Sequence, residues 1–210
     1  MGSDDILLFG DTKSTTVLIQ PVDDHDLSMI ENEVLHIKKM SGDDFCLIAV
    51  RTGSWNDELS PWEAPPVFGK KGFGGGAAKT FEHIMTLTED PSKKYIIGGY
   101  SLAGLFSLWA AYRTDVFYAV AAASPSVWFP LFSDFVKENK IKTKKVYLSL
   151  GDREEKTSNP VMSSVGSNIR DIYDHLKSTG TECILEWNSG NHFKDPDLRT
   201  AKAFAWAKCE

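Results

Sequence analysis

Residue types that cooperate in nucleophilic catalysis fall along this chain in the order Ser101, then Asp152, Glu154 and Glu155, then His192. A serine hydroxyl is a weak nucleophile at neutral pH; it needs a base within hydrogen-bond reach, and that base needs an acid to orient it. The setting of Ser101 fits this chemistry. Tyr95, Ile96 and Ile97 read as a strand, Gly98 and Gly99 lead to Tyr100-Ser101-Leu102, and an apolar helix follows from Ala103 through Ala111. Strand, sharp turn and helix with serine at the apex is a nucleophile elbow, in which backbone strain exposes the hydroxyl at the end of a buried sheet. The residues two before and two after the serine must be small, because strand and helix nearly touch. Gly99 meets that need and Ala103 nearly so, giving G-x-S-x-A with Gly104 next. The competing reading is a serine that only caps the helix.

Of five histidines, His192 alone sits in a glycine-containing loop, Asn188 to Phe193, directly after a strand-like run. His36, His83 and His175 fall on helical patterns, and His25 falls in a polar turn ahead of the sheet. Among the acids, Asp152 is nearest the end of the strand Lys145 to Leu150. Glu154 occupies the fourth position of a G-x-x-D/E turn that starts at Gly151, so Glu154 is favoured and Asp152 is its rival.

The elements that must position these residues alternate in type. Ile6 to Phe9 and Thr15 to Gln20 read as an antiparallel hairpin, followed by a helix from Leu27 to Ser41-Gly42 and a buried strand, Phe45 to Val50. Arg51 to Gly76 is the longest irregular stretch; its aromatic residues argue against disorder, and long loops in compact domains are usually functional. The glycines from Gly72 to Gly76 lack the strand and the Gly-Lys-Ser/Thr ending of a phosphate loop, and read as entry to a helix from Ala77 to Thr88. Further strands are expected at Val116 to Ala123, Lys145 to Leu150 and Cys183 to Trp187. Helices are expected from Phe132, over Val165 to Leu176, and after Asp195-Pro196 as cap and first-turn proline. The alternation predicts an α/β fold, a mostly parallel sheet with helices on both faces and no cap domain, in one domain over 1–210. Ligands bind beyond the carboxyl ends of such strands, where each polar cluster falls.

Composition excludes other classes. A formal charge of −6 leaves no basic footprint for nucleic acid. Ile6-Leu7-Leu8-Phe9 is too short for a membrane span and lacks the flanks of a secretory signal. Met1-Gly2 lacks the Ser or Thr at position six of a myristoylation signal. Cys46 and Cys183 lie in apolar runs and Cys209 makes an odd third, so reduced thiols in a cytoplasmic protein are expected. Histidines and cysteines show no metal-ligand spacing, and a serine mechanism needs no cofactor.

Gly-Tyr-Ser-Leu-Ala-Gly, Ser-Pro-Ser-Val-Trp at 124–128, Gly-Asp-Arg-Glu at 151–154 and Gly-Asn-His-Phe at 190–193 together resemble the putative esterase family of α/β-hydrolases, which includes enterochelin esterases and esterase D-like enzymes. The resemblance runs from about Phe45 to the end. It implies Ser101 as nucleophile, His192 as general base and Glu154 as acid, with residues 124–128 lining the site. Many relatives are exported and this chain shows no signal, so substrate and compartment do not carry over. The expected oxyanion donors are the backbone N–H of Leu102 and one from the loop after Val50, at Trp55 with Gly53 and Ser54 as neighbours. Trp62, Phe68, Trp128 and Phe129 either wall an acyl or aryl pocket or cover a sheet edge. The expected activity is cleavage of small or medium carboxylic esters through an acyl-enzyme. Acyl transfer or thioester cleavage on the same residues, and a silent hydrolase-fold protein that binds a ligand, are the alternatives.

Overall fold

The computed structural model describes residues 5–209, so the reading of Met1-Gly2 lies outside the described residues. Seven strands form one sheet in the order β1-β3-β2-β6-β7-β8-β9: β1 (Ile6–Gly10), β2 (Thr16–Val22), β3 (Cys46–Arg51), β6 (Lys94–Tyr100), β7 (Phe117–Ala123), β8 (Lys145–Gly151) and β9 (Glu182–Asn188). All neighbours run parallel except β1, which is antiparallel to β3.

The expected hairpin of β1 with β2 does not form. Gly10 pairs with Cys46 and Asp11 N–H donates to Phe45 O, so the Gly10 to Ser14 turn carries the chain past β3 to enter on its far side. Burial explains the choice. Val17 to Val22 are buried throughout, which requires a neighbour on each side, whereas β1 exposes Leu7 and Leu8 and suits an edge.

Residues alternate strictly between two cores. Leu18, Ile96, Ala119, Ala121 and Tyr147 face α1 (Asp24–Ser41) and α7 (Pro196–Lys208). Their strand neighbours Val17, Ile97, Val120 and Leu148 face α3 (Ala77–Met85), α4 (Leu102–Arg113), α5 (Phe132–Glu138) and α6 (Val165–Ser178). Helix α1 begins three residues before its expected start, capped by Asp23 in a reciprocal pair with Asp26, which puts His25 in its first turn. The helix from Ala77 stops at Met85 rather than Thr88. Asp195 precedes Pro196 with φ 52 and makes no side-chain cap, contrary to the cap expected of it. The long 51–76 stretch contains α2 (Trp55–Glu58) and a two-stranded pair, β4 (Glu63–Ala64) with β5 (Phe73–Gly74). Among the described residues no helix is long and apolar enough to cross a membrane, and no group of three or more His, Cys, Asp or Glu is placed to hold a metal ion. Cys46 and Cys183 are free and buried; Cys209 is free and exposed.

Candidate active site

Ser101 joins β6 to α4 with φ 56 and ψ −119, a backbone conformation costly for a non-glycine residue. The ladder holds it there: Ser101 N–H donates to Ala123 O, while Leu105 and Ser126 N–H both donate to Ser101 O. A methyl group on Gly99 would lie 2.6 Å from the Ala103 Cβ. The elbow thus has room for one methyl between these positions, and Ala103 takes it.

The loop after β9 brings His192 Nε2 to 3.0 Å from Ser101 Oγ, and the turn after β8 brings Glu154 Oε2 to 2.7 Å from His192 Nδ1. Glu154 is almost wholly buried, and its other oxygen accepts from Gly151 N–H at 2.7 Å, Ser124 Oγ at 2.8 Å and Arg199 Nη1 at 3.0 Å. Burial alone would raise this carboxyl; the hydrogen bond and charge of His192, with the Gly151 and Ser124 donors, outweigh it and hold the group below the ordinary glutamate value. Gly151 must be glycine here, since a Cβ would sit 2.4 Å from Gly190 O. Asp152 is exposed and serves the histidine loop differently, its Oδ1 accepting Gly190 N–H at 2.8 Å. Glu155 is taken by a two-pronged contact with Arg170.

Leu102 and Trp55 are the first residues of α4 and α2, where a backbone N–H finds no carbonyl in its own helix. Neither N–H has a hydrogen-bond partner among the described residues. Gly53 and Ser54 N–H, by contrast, both donate to the Glu58 carboxylate at 3.1 Å and are not free.

A cavity of about 380 Å³ opens beside Ser101 between Leu102, Trp55, Phe68, Phe73, Trp128 and Met162. Of the expected wall, Trp128 and Phe68 line it. Phe129 lies behind Phe73, ring edge to ring face with centroids 5.1 Å apart. Trp62 is placed elsewhere: its Nε1 donates to Pro130 O at 3.0 Å, and its ring packs on Phe129, Phe132 and Phe135.

Shape comparison decides the architecture. A siderophore hydrolase of Aspergillus nidulans superposes with a TM-score of 0.65 over 94% of this chain and 84% of its own, at 17% identity. A carboxylesterase of Bacillus cereus superposes at 0.61 over 96% of this chain and 93% of its own, at 11% identity. This is the α/β-hydrolase fold. An enterobactin esterase of Shigella flexneri shares it at 0.62 and 13% identity, and there the chain spans 55% of the relative's length. No family model matches the chain, and no curated protein matches it in sequence.

On this α/β-hydrolase framework, Arg199 is the site residue that carried no sequence signal. Arg199 sits in α7 at a position that pattern assigns to the core, 2% exposed, and reaches Tyr100 Oη, Ser124 Oγ and Ser189 O besides Glu154. Tyr100 Oη donates to His192 O at 2.8 Å, and burial, then the Glu154 charge, pushes its hydroxyl up to about 12. Ser126 Oγ lies 3.2 Å from Ser101 Oγ.

Proposed function

We propose that this chain is a serine hydrolase of small or medium carboxylic esters, with Ser101 as nucleophile, His192 as general base and Glu154 as the acid that orients it. The observation that carries the reading is the continuous hydrogen-bonded chain from Glu154 through His192 to a serine on a strained elbow. His192 Nε2 takes the Ser101 proton as Oγ attacks the ester carbonyl, and Glu154 stabilises the imidazolium that results. The carbonyl oxygen, now an anion, turns toward the Leu102 and Trp55 N–H groups. A donor of this kind is worth about 10²–10³ in rate. His192 then protonates the departing alcohol, and water repeats the sequence on the acyl-enzyme. No step calls for a cofactor or metal.

The acyl group fits the apolar cavity of Phe68, Phe73, Trp128 and Met162. Other proteins with this fold, a siderophore hydrolase, an enterobactin esterase and a carboxylesterase, agree with the reading. Two buried free thiols favour a cytoplasmic location. Exposure to a fluorophosphonate, read by intact mass, tests the assignment: wild type gains one adduct and Ser101→Ala gains none. Absence of an adduct on folded wild type overturns it.

A further inference from the structure

A second cavity, of about 290 Å³, shares Trp128, Met162, His192 and Phe193 with the chamber beside Ser101 and extends past Glu154 to Arg153, Lys156 and Thr157. Arg153 and Lys156 are exposed at its edge, and neither enters an ion pair among the described residues. The acids nearby make their direct contacts elsewhere. Glu154 is held by His192 and Arg199, Glu155 by Arg170, and Asp152 by Gly190 N–H. Two exposed cations without a direct ion pair therefore border a cavity next to the histidine of a chain whose net charge is −6.

Position decides which part of a substrate reaches them. The oxyanion donors come from the loops after β3 and β6, whereas His192 and Glu154 come from the loops after β9 and β8, further along the sheet. An ester bound to Ser101 turns its carbonyl oxygen toward the former and its departing oxygen toward His192, which must protonate it. The cavity of Arg153 and Lys156 touches His192 but not Ser101. It lies on the alcohol side.

We propose that this cavity recognises a carboxylate on the alcohol portion of the ester, with Arg153 and Lys156 as its counter-charges. The inference rests on the roles given above to Ser101 and His192. The acyl side, by contrast, is apolar. Substrates of this site join a hydrophobic acyl group to an anionic alcohol. The guanidinium of Arg153 suits a carboxylate in two-pronged fashion, and Lys156 adds a mobile point charge.

The test compares three esters on wild type and on the double variant Arg153→Ala, Lys156→Ala, whose exposed side chains leave the fold intact. These are 4-acetoxybenzoate, with its carboxylate on the leaving group; its neutral methyl ester; and monophenyl succinate, with its carboxylate on the acyl group. The double variant should lose about tenfold in kcat/KM on 4-acetoxybenzoate, the scale of two partly exposed charge contacts, and stay within about twofold on the other two. Added salt should shrink the wild-type advantage. Equal losses on all three, no loss, or a loss confined to monophenyl succinate overturns the proposal. Binding of the product 4-hydroxybenzoate, followed by tryptophan fluorescence because Trp128 lines the cavity, separates the two readings. Binding that depends on Arg153 and Lys156 without Ser101-dependent turnover keeps the anion site and removes the esterase. Ser101-dependent turnover without charge preference does the reverse.

Discussion

Arg199 donates to Glu154 Oε1 at 3.0 Å while His192 Nδ1 meets Oε2 of the same carboxylate at 2.7 Å. One buried acid thus has a permanent counter-ion on one oxygen and the candidate base on the other. The desolvated carboxylate is tolerable because Oε1 accepts three hydrogen bonds and Oε2 meets His192 Nδ1.

Breaking the Arg199 contact strands that charge. Arg199→Ala should lower unfolding free energy by about 3–5 kcal/mol in urea titrations, the scale of a buried pair that loses one partner. Arg199→Lys keeps the charge without the fork and should recover part of the loss. A midpoint unchanged in Arg199→Ala would contradict the role.

Ser101→Ala should reduce ester turnover by about 10⁵–10⁶ with no shift of the unfolding midpoint. Ser101→Gly should be equally inert yet more stable by about 1 kcal/mol, because glycine relieves the strain at φ 56. Activity and stability measured on both variants separate the two roles of the elbow.

The acid assignment yields an asymmetric pair. Glu154→Gln should cost about 10⁴ in kcat, since an amide no longer fixes the histidine tautomer. Asp152→Asn keeps an oxygen for Gly190 N–H and should fall only a few-fold. A larger loss in Asp152→Asn would reverse the assignment.

Asp26 gives a pH prediction of opposite sign from Glu154. Burial, then the neighbouring Asp23 charge, raises its carboxyl from 3.8 to about 6, so folding is penalised once pH exceeds the folded value and unpenalised below about 3.8. Asp26→Asn should therefore stabilise the chain at pH 7.5 by about 1–2 kcal/mol and leave it unchanged near pH 3.8. Glu154, lowered below its ordinary 4.5, stabilises the fold above that pH and loses its contribution as pH drops through the folded value. Chemical unfolding at the two pH values distinguishes these signs.

Trp128→Ala should broaden acyl-chain preference, while Trp62→Phe should lower stability without altering it, because only Trp128 borders the chamber at Ser101. A profile of p-nitrophenyl esters of increasing chain length checks both.

The elbow was legible in sequence because its demands are local: small residues around a serine, a β-rich run before and an apolar helix after. His192 and Glu154 were legible through their order and strand-end positions. The partner of β1 was not, since pairing depends on which strand is buried on both faces, a property of the assembled sheet. Nor could spacing tell Trp62 from Trp128. Both are aromatic residues in proline-bearing loops, and only tertiary packing turns one toward the core and the other toward the cavity. Arg199 was hidden because a helical stripe records burial, not what a buried charge meets.

Synthesis runs from the amino terminus, so β6, Ser101 and β7 leave the ribosome well before His192 and Arg199 do. A partly made chain can thus display this serine without the histidine it meets in the fold. In the proposed mechanism its base, His192, follows β9, and Arg199, which holds Glu154, follows on α7. Under the proposed mechanism the order of the elements acts as a clock, since the serine gains its base only once the loop after β9 has been made.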